Sequence, residues 1–322
     1  MRLVRHWRTL FLLLPVWMMV GCLPAPEEPL RLGTNVWPGY EPLYLARERG
    51  DLSDDQVALV ELLSASEVMR AYRNGAIDAA ALTLDEVISL RADGLRPVVV
   101  QVTDISEGAD VILVRQGVER MQDLRGKRVG VEATALGMYM LSRALRLSGM
   151  TLKDVDIVHM EVNEHRKAWL SGRVDAVVTF EPVRHQLLEE GAVILFDSSM
   201  IPGEIVDLLV VRESLLKPRR KQIQHLITAW YRALERLEHS PDTEARIMAA
   251  RQGGSGEDVL NSLKQLKLPD RNESAVFLQG DPPGLEQQAE RLAQLMLEQG
   301  LLQQQPDLKG LVRDYSDHEA DH

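Results

Sequence analysis

Residues 71–79 read Ala-Tyr-Arg-Asn-Gly-Ala-Ile-Asp-Ala, and residues 168–176 read Ala-Trp-Leu-Ser-Gly-Arg-Val-Asp-Ala. Gly75 and Gly172 are 97 positions apart, and so are Asp78 and Asp175. The same offset relates Arg31-Leu-Gly33 to Arg128-Val-Gly130, and Gly94 to Gly191. Any one of these matches carries nothing alone. Four anchors sharing one offset indicate a chain built from two similar halves.

Working outward from these anchors, each half has the same order. A short apolar run (30–36, then 128–131) reads as a strand, and a helix follows over 41–49 or 137–148. A second strand lies at 57–62 or 156–160, and a second helix closes at Gly75 or Gly172. A third strand, 77–81 or 174–179, is apolar and partly β-branched apart from Asp78 or Asp175, as a buried parallel strand is. Ser64 and Glu67 have capping-box spacing, and Asn74-Gly75 is a helix stop. Strands alternating with helices predict two α/β lobes with parallel sheets and right-handed crossovers. From Lys217 onward the pattern is helical, with amphipathic helices expected over 219–239, 241–252, 256–266 and 283–299 as a layer on one lobe. The polar end, 314–322, is expected to fray.

The N-terminus carries different information. Arg2, Arg5 and Arg8 precede an apolar run from Leu10 to Val20, which is shorter than the roughly 20 residues that span a bilayer. It fits the apolar region of a secretory signal. The run ends in Met19-Val-Gly-Cys22, which resembles a bacterial lipobox, and Cys22 is the only cysteine of 322 residues. The expectation is a signal peptide over 1–21, a lipidated Cys22 and a short tether over 22–29. One cysteine allows no intramolecular disulfide. A net charge of −11 disfavours nucleic acid and anionic membrane surfaces as partners. The eight histidines show no zinc-ligand spacing, and neither a metal nor a cofactor is expected.

Ligands of open α/β sheets bind beyond the carboxyl ends of the strands, and this selects the candidate residues. Trp37 and Tyr40 flank Pro38-Gly39 at the first strand-to-helix turn and could form an aromatic wall, or simply lobe core. Ser64 and Ser66 follow the second strand. Thr83, Asp85 and Glu86 follow the third, with Thr83 and Glu86 also at capping-box spacing. Thr134 and Gly137 open the first helix of the second half, where free backbone N–H groups suit an acidic ligand group or a plain cap. His165 is either a solvated first-turn residue or a contact. Glu181 precedes Pro182 at a helix start, and Asp207 precedes an apolar strand near the predicted hinge. Carboxylates outnumber the basic candidates, so a cationic or amine-bearing ligand is favoured.

These residues also resemble a known family. Leu32-Gly-Thr-Asn-Val-Trp-Pro-Gly-Tyr-Glu-Pro-Leu-Tyr-Leu-Ala46, Asp123-Leu-Arg-Gly-Lys-Arg-Val-Gly130, Ser171-Gly-Arg-Val-Asp-Ala-Val-Val-Thr-Phe-Glu-Pro182 and Pro202-Gly-Glu-Ile-Val-Asp207 are similar to segments of the nitrate/sulfonate/taurine and thiamine-precursor binding proteins of ABC transporters. The resemblance runs from about residue 30 to 215. It implies a type II periplasmic binding fold, with one lobe from 30–112 and 207–322 and the other from 113–206. It further implies a monomeric, non-catalytic solute-binding lipoprotein on the periplasmic side of the envelope that hands a small polar ligand to an inner-membrane permease. The ligand expected from the residues is an amine, a zwitterion or a pyrimidine-like heterocycle. A sulfonate- or nitrate-type anion binder, and a lipoprotein that signals to a membrane sensor, are the alternatives. Enzymes with this fold that depend on a cysteine are excluded by a mature domain without a thiol beyond Cys22.

Overall fold

The computed structural model describes residues 27–132, 135–252 and 254–315. The expected signal peptide, Cys22 and Thr134 lie outside the described residues. In the first half, β1 (Leu30–Thr34), β2 (Val57–Glu61) and β3 (Ala79–Thr83) alternate with α1 (Glu41–Glu48) and α2 (Ala65–Arg73). β1 pairs in parallel with both β2 and β3. Helix α3 (Leu84–Ala92) leads to the ten-residue β4 (Pro97–Ser106). The chain then enters a second sheet through β5 (Val111–Val114), β6 (Arg128–Val131), α4 (Ala135–Leu147), β7 (Asp156–His159), α5 (His165–Leu170), β8 (Ala176–Thr179), α6 (Val183–Glu189) and β9 (Val193–Asp197). It returns to the first sheet as β10 (Val206–Arg212), antiparallel to β3 and β4. The strand orders are β11-β4-β10-β3-β1-β2 and β7-β6-β8-β5-β9, with β11 at Leu266–Lys267. These are two α/β lobes with equivalent cores of three parallel strands.

The repeat has a physical cause. Asp78 accepts hydrogen bonds from the Arg31 backbone N–H (3.0 Å), Nε (2.9 Å) and Nη2 (2.8 Å). Asp175 accepts the same three from Arg128, at 3.0, 3.0 and 2.9 Å. In each half an aspartate at the foot of the third strand is clamped to the start of the first. The paired glycines have a reason too. A Cβ on Gly33 would lie 2.5 Å from Ile77 Cδ1, and one on Gly130 would lie 3.2 Å from Val174 Cγ1. The third strands therefore start two residues later than the apolar pattern predicts, because Ile77 and Val174 serve as packing plugs ahead of the ladder.

The C-terminal layer consists of α7 (Arg220–His239), α8 (Pro241–Gln252), α9 (Gly256–Leu263), α10 (Arg271–Leu278) and α11 (Gly284–Glu298). Helix α10 was not anticipated, and α9 stops short of 266 because Leu266 and Lys267 pair with β4. The layer is not confined to one lobe. Ser142 on α4 donates to Gln299 (2.6 Å), and Arg146 pairs with Glu298 (3.1 Å), so the end of α11 meets the second lobe. The chain end is held as far as Tyr315, which is buried and donates to the Leu216 carbonyl (3.2 Å). Fraying does not begin at 314 because this aromatic has a pocket and a polar partner.

Two segments cross between the sheets, β4 to β5 and β9 to β10, and one buried serine pair stitches them. Ser106 Oγ and Ser198 Oγ lie 2.7 Å apart, Ser198 Oγ accepts from the Gly108 N–H (2.7 Å), and the Ser198 N–H donates to the Asp110 carbonyl (3.0 Å). Removing that hydroxyl leaves a buried N–H without its acceptor, which costs about 1–3 kcal/mol. Ser198→Ala is therefore expected to lower the unfolding free energy by that amount in a urea titration. An unchanged midpoint would show that the crossing does not depend on this pair.

Candidate ligand-binding site

The strand ends converge on a slot between the lobes. One wall comes from the turn after β1. Trp37 and Tyr40 are both buried, and each donates to a carboxyl group on the strands that lead into the crossings. Trp37 Nε1 lies 3.3 and 3.2 Å from the two oxygens of Asp104 on β4, and the Tyr40 hydroxyl donates to Asp207 on β10. Asp104 and Asp207 are register partners in the β4–β10 ladder, so the two aromatics hang from one carboxyl pair. Gly39 makes room for this, because a Cβ there would sit 2.0 Å from Asp104 Oδ2. From the second lobe, Phe180 meets Trp37 edge-on, with ring centroids 5.5 Å apart and planes at 85°.

The remaining lining is acidic and apolar. Glu86, Asp110, Glu132 and Asp207 supply carboxyl groups, Asn35, Thr83 and Thr179 neutral polar groups, and Ala65, Leu136, Gly137, Met140 and Val178 apolar or backbone surface. No Lys, Arg or His lines the slot among the described residues. The interior is narrow. Water-sized spheres can be centred in only about 30 Å³ of it, within about 530 Å³ of atom-free space. The lobes touch across it, since Glu132 Oε1 accepts from the Ser66 backbone N–H (3.0 Å) and hydroxyl (3.2 Å).

Burial raises every one of these acids, because a charge without a countercharge is costly in a space that excludes water. Asp110 rises to about 6 and Glu132 to about 7. Glu86 and Asp207 rise well above the usual carboxylate range; after burial, the neighbouring Asp85 contributes most to Glu86 and Asp104 most to Asp207. Asp85 and Asp104, set just behind the lining, reach about 7, again chiefly through burial. Glu86 Oε1, Asp110 Oδ2, Asp207 Oδ2 and Thr83 Oγ1 are buried and have no hydrogen-bond partner within the protein. Four polar atoms are thus held in one slot with nothing to satisfy them.

Of the residues expected from sequence, Trp37, Tyr40, Thr83, Glu86, Gly137 and Asp207 come together here. Ser64 is instead the N-cap of α2, accepting from the Glu67 N–H (3.2 Å), and Ser66 holds Glu132. Asp85 lies behind the lining. His165 is not a solvated first-turn residue. It is buried, its Nδ1 lies 3.1 Å from Thr179 Oγ1, and burial lowers its pKa to about 4. Glu181 lies outside the slot, accepting from Arg184 (3.0 Å) and the His185 N–H (3.1 Å) at the start of α6. Glu86 has the cap role, since Oε2 caps α3 through the Thr83 N–H (3.1 Å), and its Oε1 is left without a partner. Sequence reasoning missed Asn35, Asp110, Leu136, Met140 and Phe180. Asp110 follows a crossing rather than a βα strand, and no periodic signal marks it.

Residues 23–252 match the model of the NMT1-like family. This chain belongs to the NMT1-like family. Over 142 residues it is 27% identical to a putative aliphatic sulfonates-binding protein of Escherichia coli (strain K12), a match that covers 44% of each chain. The chain thus spans less than half the length of that relative. Its fold is that of periplasmic binding proteins. The alkanesulfonate-binding protein SsuA from Xanthomonas axonopodis pv. citri, solved bound to MOPS, superposes with a TM-score of 0.78 at 20% identity, over 90% of this chain and 99% of that one. The desulfurization enzyme DSZB has the same fold, with a TM-score of 0.62 at 19% identity over 88% and 96% of the two chains. Among the described residues of the NMT1-like chain, no helix is long and apolar enough to cross a membrane.

The raised acids set a pH dependence. A carboxyl whose folded pKa lies above its unfolded value stabilises the fold at low pH, and that stability is lost as pH rises to the folded value. His165 works the other way, but only up to its ordinary value near 6.5. From pH 6.5 to 8 the acids act alone, and the ligand-free protein is expected to lose stability over that interval, by about 2 kcal/mol for each acid that keeps its proton throughout. Thermal denaturation at constant ionic strength measures it. A melting temperature that rises over this interval would contradict the protonated state described here.

Proposed function

We propose that this chain is the solute-binding component of an ABC import system and that its ligand carries a protonated amine or a comparable cation. One observation carries the reading: four carboxyl groups line a narrow slot that no cationic side chain among the described residues enters. A cation entering that slot can pair with carboxyl groups that give up their protons, where water has been excluded and Coulomb energies are large, and three of the acids still have a free acceptor oxygen. Trp37, Tyr40 and Phe180 supply aromatic faces and edges for the apolar part of the ligand, with cation–π attraction available at each face. Small alkylamines and cationic heterocycles related to the thiamine pyrimidine fit this chemistry. The lobes, divided near residues 112 and 207, would open and close about the two crossings. Export, lipidation at Cys22 and delivery to an inner-membrane permease complete the reading; they rest on the N-terminal sequence and on the family. We assign no catalytic step to the slot.

A second reading is favoured by the relatives, whose names concern sulfonates. A sulfonate would meet four acids of its own sign and could bind only where those acids are protonated and donate. The two readings therefore have opposite pH dependences. Isothermal titration with short alkylamines and alkanesulfonates at pH 6 and pH 8 is expected to give amine binding that tightens about tenfold or more with rising pH. It should also release protons, seen as a binding enthalpy that changes with the ionisation enthalpy of the buffer. Sulfonate binding that weakens with rising pH, with no amine binding at either value, would establish the second reading instead.

A further inference from the structure

A second and larger chamber lies on the other side of the aromatic wall. Neighbouring residues alternate between the two spaces. Asn35 and Trp37 line the slot while Val36 and Pro38 line the chamber, and Phe180 lines the slot while Glu181 and Pro182 line the chamber. The edge-to-face contact of Trp37 and Phe180, one residue from each lobe, is the partition. Water-sized spheres can be centred in about 320 Å³ of the chamber, roughly ten times the room left in the slot. Its far side is built by α6 and by α9 of the C-terminal layer.

The charges in this chamber differ from those in the slot. Its two acids are already engaged at helix starts. Glu181 accepts from the His185 N–H (3.1 Å) and Arg184 Nη1 (3.0 Å), and Asp258 Oδ2 accepts from the Ser255 N–H and hydroxyl, both at 2.7 Å. The cation Arg184 is not fully engaged. Its side chain is only 14% exposed, and its buried Nε has no hydrogen-bond partner within the protein. Beside it, the Asn261 side-chain oxygen is taken by Lys264 (3.0 Å), which leaves its amide as a donor. A buried guanidinium N–H without an acceptor is expensive, and an anionic oxygen is the acceptor it suits best.

We propose that this chamber is the second half of the ligand site and receives an anionic group, a carboxylate or sulfonate, at the far end of the ligand. The inference rests on the reading of the slot as the place for the cationic end, and it makes the full ligand a zwitterion that passes the Trp37–Phe180 partition. Closure of the lobes would then enclose both ends, with the slot selecting the amine and Arg184 selecting the tail.

The test compares ω-amino carboxylates and ω-amino sulfonates of two to six carbons with alkylamines of equal length, by calorimetry at pH 8. At one or more chain lengths the zwitterion is expected to bind about tenfold tighter than the matched amine, the worth of a charge-assisted hydrogen bond of about 1.4 kcal/mol. In Arg184→Gln, which can still reach Glu181, that ratio should fall to about one. Arg184→Lys, which keeps the charge, should retain part of it. A ratio of about one at every length in the unmodified protein, or a preference that survives Arg184→Gln, would overturn the inference while amine binding leaves the slot reading intact. Absence of binding by every amine and zwitterion would remove both.

Discussion

Four carboxyl groups share a slot that water barely enters, and no cation among the described residues faces them. Everything else about the site follows from that imbalance. Proteins tolerate a buried charge when it is paired or hydrogen-bonded, and otherwise the group keeps its proton. Here burial shifts all four acids toward the second course, least of all Asp110. The unpartnered oxygens of Glu86, Asp110 and Asp207 are accordingly a strain on the fold. On the proposed function, a ligand that brings positive charge would relieve that strain and stabilise the fold by binding the native state.

The architecture that holds these acids together is the pair of strands nearest the crossings. β4 and β10 place Asp104 and Asp207 opposite each other, and each orients one aromatic of the turn after β1. The turn can approach so closely only because residue 39 lacks a side chain. The same strands run directly into the segments stitched by Ser106 and Ser198. The acids, the aromatic wall and the interlobe connection therefore stand on the same two strands.

The fold is shared with sulfonate-binding relatives, yet fold similarity at about 20% identity does not transfer the chemistry of a site. Much of the fold was legible in the sequence, because the two halves obey the same local constraints. The Arg31–Asp78 and Arg128–Asp175 clamps and the plugs under Gly33 and Gly130 recur 97 residues apart, and each needs particular residue types whatever surrounds it. Part of the site was legible as well. Trp37, Tyr40, Thr83, Glu86 and Asp207 all follow or begin strands at the end where ligands bind. Ser64, Asp85 and His165 obey the same positional rule and yet turn away, since position after a strand does not state which way a side chain points. Phe180 and Asp110 were missed for a related reason. Their importance comes from the opposite lobe and from a crossing, neither of which is a local pattern.

Sequence alone determined the two-halved α/β plan, the helical C-terminal layer and the acidic character of the candidate residues. Those are properties of periodicity, spacing and composition, which act over a few residues at a time. Only the tertiary structure decided which acids face the slot, that no cation among the described residues accompanies them, and that Trp37 and Phe180 divide it from a chamber where Arg184 has a free N–H. Burial, pairing and pKa depend on what lies across the gap between lobes, and residues such as Ser66 and Glu132, or Trp37 and Phe180, are brought together by chain that is far from both. The number of carboxylates can be read along the chain, but their state is set by the space they share.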